Sequence, residues 1–246
     1  MSTKNYKNVL VDKSFPFAIT ESFKTIRTNM LYTGNNEKCP VFGVTSSDME
    51  AGKSIFFANI AQSFAQLGKK VILLDCDLRS PVQHKIFSVE NRGGMSEILA
   101  GLAKNVDNLT VHTHVDNLDL ITAGHIPPNP TELLASENMK KLLDYLKESY
   151  DVVFLDLPPV NIVIDAIVPA EYVTSYVIVV RCGRDKIRDI SEMVSLINQS
   201  KASIAGFVLN DVNPKTSGGG HYHRYYYSKY GHRYGYKRYG YGEKTK

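Results

Sequence analysis

The chain has 246 residues, 43% hydrophobic and 22% charged, with a formal net charge of +4 at pH 7. That length suits one sizeable core, and no apolar run approaches the roughly 18 residues of a membrane span. The charge is uneven: residues 218–246 carry seven Lys/Arg and one Glu, about +6, while residues 1–217 carry 22 Lys/Arg and 24 Asp/Glu, about −2, so the basic balance belongs to the C-terminal segment and not to a nucleic-acid face on the body.

In chain order, residues 18–31 read as an amphipathic helix, with Phe23, Ile26 and Met30 near helical spacing. Val41–Thr45 reads as a strand, followed by a helix over Lys53–Gln66 with Ile55, Ala58, Ile60, Ala61 and Phe64 inward. Gly68 is its C-cap candidate. Val71–Leu74 is an apolar strand, Ser96–Ala100 opens a short helix, and Leu118–Ile121 is a strand. One helix is expected over Thr131–Tyr150, opened by Pro130 and Thr131. Val152–Leu155 and Ser175–Arg181 are strands, Asp189–Gln199 a helix, and Ala205–Leu209 the last strand. Continuous Val/Ile/Leu runs alternating with helices predict an α/β fold, a mostly parallel central sheet flanked by helices on both faces.

From Thr216 the composition changes to Gly, Tyr, His and Lys/Arg with almost no aliphatic residue. Such a segment has nothing to build a core with and is expected to be a flexible, disordered tail over 216–246. It holds Tyr222, Tyr225, Tyr226, Tyr227, Tyr230, Tyr234, Tyr236, Tyr239 and Tyr241. Cys39, Cys76 and Cys182 show no CxxC spacing, which predicts reduced thiols. The N-terminus lacks an apolar signal core, so a cytoplasmic location is expected. His112, His114 and His125 have no metal-ligand company in the sequence.

Three segments carry chemistry. Ser47-Asp-Met-Glu-Ala-Gly-Lys-Ser54 lies between a strand and a helix, where main-chain N–H groups can cradle phosphate. Lys53 there can neutralise phosphate oxygens and Ser54 can ligate Mg²⁺. The plain alternative is a strand-to-helix turn that contains Gly-Lys-Ser by chance. Next, the strand from Val71 ends in Asp75-Cys76-Asp77-Leu78-Arg79, two carboxylates two residues apart at the sheet edge where ligands bind. Such acids suit a metal ion or a general base for a hydroxyl, or are simply solvated strand-end acids. Finally, the strand from Val152 delivers Asp156, before Leu157-Pro158-Pro159, to the same edge.

In that order the three segments resemble the bacterial tyrosine kinases, a family similar in fold to the septum-site and plasmid-partition phosphate-loop ATPases. Leu78-Arg79-Ser80-Pro81 with His84 and Phe87, Pro127-Pro128-Asn129-Pro130-Thr131-Glu132-Leu133-Leu134, and the terminal tyrosine cluster extend the match over essentially the whole chain. The resemblance is strongest to the cytoplasmic kinases of Gram-positive capsule or exopolysaccharide clusters. It implies three parts: an N-terminal segment over 1–37 with an oligomerisation helix, a phosphate-loop kinase domain over 38–215, and the tyrosine-rich tail over 216–246.

The resemblance further implies ATP and Mg²⁺ as cofactors. Lys53, Asp75 and Asp77 are the expected catalytic residues, one of the two acids being the base, with Asp75 favoured. Ser47, Asp48, Met49, Glu50, Ala51, Gly52, Lys53, Ser54 and Ile55 are the expected nucleotide contacts, with Asn210 toward the adenine. Ser54, Asp77 and Asp156 form the expected metal shell. The nine tail tyrosines are the phosphoacceptors, and Glu21, Lys24 and Arg27 the oligomer contacts. Implied partners are a transmembrane activator that recruits the kinase to the inner face of the membrane, a cognate phosphotyrosine phosphatase, and further copies in a ring, with an octamer as the candidate size. No specific nucleic acid is implied. The chain departs from the family pattern at Ser47 and Glu50 (both Gly there), at Lys24 (Arg) and at Leu157 (Ser/Thr). A partition-type ATPase switch would place a signature lysine where Asp48 stands, and it would lack the tyrosine tail. A tail that grips nucleic acid or another anionic polymer, with bases stacking on its tyrosines, is the other alternative.

Overall fold

The computed structural model describes residues 6, 9–12, 14–34 and 36–212. Seven strands run in chain order as β1 (Val41–Ser46), β2 (Val71–Asp75), β3 (Thr110–His112), β4 (Leu118–Ile121), β5 (Val152–Asp156), β6 (Ser175–Arg181) and β7 (Ile204–Asn210). They form one sheet in the order β3-β4-β2-β5-β1-β6-β7. Every pairing is parallel except β3 with β4. Strand order therefore reverses on either side of β1, and the crevice beyond its C-terminal end is where this architecture binds ligands.

The helices are α1 (Phe17–Thr33), α2 (Lys53–Ala65), α3 (Gln83–Ile86), α4 (Met95–Leu99), α5 (Pro130–Leu134), α6 (Glu137–Ser149) and α7 (Ile187–Gln199). Alternate residues of the strands feed two cores. Phe42, Val44, Leu73, Phe154 and Val179 pack with α1 and α2 on one face. Val41, Leu74, Val153, Leu155 and Ile178 pack with α4, α5, α6 and α7 on the other. Both faces being covered explains why the parallel strands read as unbroken apolar runs. The described residues through Asn210 cluster as one unit, and beyond it only Asp211 and Val212 are described. The tail and its nine tyrosines lie outside the described residues.

Two expectations need correction. The single helix over Thr131–Tyr150 is two, α5 and α6, with Ser136 extended between them (φ −76°, ψ 155°). Leu134 and Met139 are both fully buried. Five residues apart on a continuous helix they would point about 140° from each other, so the break lets both reach the core. Nor is α2 two-faced: every residue of it is buried except Ile55, which was expected inward and is exposed. The three-residue edge strand β3 carried no periodic signal and went unread.

A strap explains the burial of α2. Asn59 accepts from the Val11 amide at 2.6 Å and donates to the Val9 carbonyl at 3.0 Å, while Gln62 donates to the Val11 carbonyl at 2.6 Å. Phe23 of α1 stacks on Phe56 with ring centroids 5.9 Å apart. Below, Phe57 and Phe64 meet Phe154 of β5 edge-on at 5.0 and 5.3 Å. Phe57→Ala should cost about 3–5 kcal/mol, read as a lower urea midpoint with an unchanged denaturant slope. A loss below about 1 kcal/mol would show that this aromatic cluster does not anchor the helix.

Candidate functional site

The loop from Ser47 to Gly52 joins β1 to the start of α2, where the first N–H groups of a helix have no intrahelical partner. Gly52 sits at the junction with φ +87°. The conformation favours glycine, and a Cβ there would push aside the Asn210 amide. Asn210, at the end of β7, donates to the Ala51 carbonyl at 2.8 Å. Its side chain thus braces the loop; an adenine contact from it stays a proposal. Within the loop, Ser46 Oγ donates to the Asp48 carbonyl at 2.7 Å and the Asp48 carboxylate accepts from the Met49 amide at 2.7 Å.

Glu50 resolves one departure from the family pattern. It adopts a left-handed conformation, φ +66°, the geometry a glycine takes without strain. Its carboxylate turns outward to Arg184 at 3.2 Å, and its carbonyl accepts from Arg181 at 3.3 Å. Ser47, a second departure in the loop, is buried, and Leu157, a third near the chemistry, is fully buried in the core.

Lys53 reaches back across the helix start. Its Nζ lies 3.0 Å from Asp77 Oδ2, 3.3 Å from Ser54 Oγ and 3.6 Å from Asp156 Oδ1, and the residue is only 9% exposed. Burial works to lower its pKa, but Asp156 and then Asp77 outweigh that and hold the ammonium above its ordinary value. Asp75 and Asp156 are in register on the neighbouring strands β2 and β5, and both are completely buried. Burial first, then Asp156, pushes the Asp75 carboxyl well above the usual carboxylate range. Asp156 is raised by burial too, against the pull of Lys53 and Gln83.

One oxygen of each acid is engaged. Asp75 Oδ2 accepts from the Val82 and Gln83 amides at 3.2 and 3.0 Å, and Asp156 Oδ2 from the Gln83 side chain at 2.7 Å. The Oδ1 atom of each is buried with no hydrogen-bond partner. Asp77 Oδ1 accepts from the Ser80 amide at 3.0 Å.

Lys53, Ser54, Asp75, Asp77 and Asp156 therefore lie together at the C-terminal edge of the sheet. Among the described residues no three His, Cys, Asp or Glu side chains form a ready metal cage. The donor set is one hydroxyl and paired carboxylates beside the loop, and two buried carboxylate oxygens accept no hydrogen bond. It fits Mg²⁺, which is held by one or two carboxylates together with substrate phosphates.

Ile55 and Met49 are exposed beside the loop. Glu21 and Lys24 pair with each other at 2.7 Å on the exposed side of α1, whereas Arg27 donates to the Ser63 carbonyl at 2.7 Å within the chain. Cys76 is a packed thiol, pushed up by burial and then by Asp75. His112 and His125 each pair with one carboxylate, Asp119 and Glu97.

Sequence reasoning missed Asp165 and Gln83. Arg79 binds Asp165 with two nitrogens, at 2.7 and 3.1 Å, and Thr131 donates to the same carboxylate at 2.6 Å. Although burial alone would raise Asp165, Arg79 and Thr131 hold it below the usual range. This joins the segment after β2 to the start of α5, two stretches singled out by resemblance alone. Asp165 itself follows no strand, so nothing in its surroundings marked it.

A family profile described as an AAA domain matches residues 50–208. CapB of Staphylococcus aureus, which is named among tyrosine-protein kinases, is 34% identical over 86% of this chain and 91% of its own length. The tyrosine-protein kinase Etk of Escherichia coli is 32% identical over 87% of this chain, which spans 29% of that longer protein. Among solved structures, the chimerical protein CapA2B2 superposes with a TM-score of 0.76 at 34% identity, covering 81% of this chain and 86% of that one. The kinase domain of E. coli Etk gives 0.76 at 27% identity over 98% and 89%. The septum site-determining protein MinD of Pyrococcus horikoshii, at 18% identity and 0.59, shares the fold alone. The chain belongs to the bacterial tyrosine-protein kinases, built on the phosphate-loop fold of the septum-site ATPases.

Proposed function

We propose that the chain is an ATP-dependent protein-tyrosine kinase that phosphorylates its own C-terminal tyrosine cluster in trans within a homo-oligomer and regulates capsular or exopolysaccharide synthesis and export. One observation carries this reading: at the start of α2 a single buried ammonium, Lys53, is held among Asp77, Ser54 and Asp156. A polyphosphate seated on the loop would compete with the carboxylates for Lys53.

ATP is the phosphoryl donor. The tyrosine hydroxyl attacks the γ-phosphorus, the new O–P bond replaces the bridging O–P bond to the β-phosphate, ADP leaves and the hydroxyl proton goes to a carboxylate. Asp75 suits that proton, because its Oδ1 is unpartnered and burial raises its proton affinity. Ser54, Asp77 and Asp156 would hold Mg²⁺, which neutralises charge developing between the phosphates.

The name CapA2B2 describes a chimera; it supports a separate activator polypeptide as partner. The described residues contain no helix long and apolar enough to cross a membrane, so recruitment to the inner face would depend on that activator. A ring, an octamer among its candidate sizes, would place each tail at high effective concentration beside the next site. Phosphorylation would turn a tail of about +6 negative, each phosphotyrosine adding about −1.5 to −2, and a cognate phosphatase would reset it. The partition-type alternative needs a lysine at position 48, where Asp48 caps the Met49 amide instead.

Incubation with Mg-ATP and an activator fragment should give a phosphotyrosine signal that Lys53→Met lowers at least about a hundredfold. No signal from wild type beyond that of the variant rejects the kinase reading. Lys53→Met should also lose about 3–5 kcal/mol of stability, since it leaves buried carboxylates without their cation.

Asp75→Asn separates base from fold. It should cut kcat at least about a hundredfold while sparing ATP affinity. It should also melt higher than wild type at neutral pH. A carboxyl whose folded pKa is raised is stabilising below its unfolded value, about 3.9, and that contribution is lost as pH rises through the folded value. The variant's advantage should therefore grow as pH rises from about 4 and then level off. A variant less stable than wild type at pH 7 would contradict the raised proton affinity.

A further inference from the structure

We infer that Gln83 is a positioning residue for the magnesium-nucleotide complex, fixing Asp156 through its side chain and Asp75 through its main chain. The inference rests on the nucleotide reading of the site. Gln83 opens the short helix α3 and is completely buried, an uncommon place for an amide. Its Nε2 donates to Asp156 Oδ2 at 2.7 Å and to the Ser54 carbonyl at 3.1 Å. Those two acceptors decide which way the amide points: reversed, Oε1 would face two oxygens with no proton between them.

Its main-chain N–H donates to Asp75 Oδ2 at 3.0 Å. One residue thus occupies one oxygen of each in-register acid and also touches the first turn of α2. Asp156 is left with Oδ1 aimed at the Lys53 side, 3.6 Å from Nζ. The acid is held in the rotamer that presents this oxygen to the loop only while Oδ2 is gripped from behind.

A buried carboxylate that loses a donor is free to rotate or to take a proton, and either change removes it from a metal's reach. Outer partners that orient metal ligands are worth about 10–100-fold in metal affinity or activity. Besides Gln83, Asp156 has the Lys53 ion pair and the Ser54 hydroxyl, which would turn to the metal. Lys53 is also the group the phosphates would draw away, so Gln83 is the contact that persists when nucleotide arrives.

The test uses the full chain and a fluorescent ATP analogue, titrated in EDTA and across a Mg²⁺ series, beside steady-state tyrosine phosphorylation. Gln83→Met keeps the length of the side chain and removes its donors. It should bind nucleotide in EDTA within about twofold of wild type, need about tenfold more Mg²⁺ for half-maximal enhancement of binding, and lose about 10–100-fold in kcat with little change in KM for ATP. Gln83→Asn keeps the amide but draws it back one methylene, so it should show a smaller shift in the same direction, and it decides the matter if the Met variant does not fold. A folded variant with the wild-type Mg²⁺ requirement overturns the role of Gln83 while leaving the site intact. A wild-type protein whose nucleotide binding ignores Mg²⁺ overturns both.

Discussion

The structure depends on keeping a lysine and three carboxylates out of water at one sheet edge. Removing such charges from solvent is costly, and their attraction offsets the cost only in good geometry. Here the geometry is set by rigid parts. Asp75 and Asp156 end adjacent parallel strands in register, Lys53 begins a helix that is buried almost all round, and Gly52 and Asn210 lock the loop between them. The lysine pairs with Asp77 and Asp156, while Asp75 is held by the main-chain amides of Val82 and Gln83. The same lysine is held by Asp77 and Asp156 together, so any change at its ammonium acts on both acids at once. The raised proton affinity of Asp75 and its cost to stability have the same origin, burial beside Asp156.

The surroundings are arranged to hold this edge still. Three phenylalanines, Phe57, Phe64 and Phe154, tie α2 to β5, and β5 carries Asp156. Arg79, Thr131 and Asp165 connect the stretch after β2 with α5, so Asp77 sits between two anchored points. At position 50 the loop holds a left-handed non-glycine whose carboxylate faces solvent and Arg184.

Much of this was legible in the sequence. Unbroken apolar runs gave the parallel strands because both faces of the sheet are covered, and Gly-Lys-Ser after the first strand placed the loop because local chain order determines it. What stayed hidden was long-range. Ile55 looked inward by periodicity, but α2 is covered by a strap and by α1 as well as by the sheet, so its single exposed stripe could not be phased from apolar spacing. The break at Ser136 serves two distant packing sites, Leu134 and Met139. Gln83 and Asp165 act through partners 73 and 86 residues away, and no local pattern announces a buried amide or a carboxylate whose arginine comes from another segment.

The strap over α2 is held largely through its main chain: Asn59 and Gln62 read two carbonyls and one amide, and only the apolar character of Val9 and Leu10 is used besides. Recognition of that kind is nearly blind to side-chain identity but strict about chain geometry. Position 11 must keep its N–H, so proline is barred there, and an inserted or deleted residue would shift the register of three bonds at once. Sequence drift in this stretch should therefore be wide in composition and narrow in length.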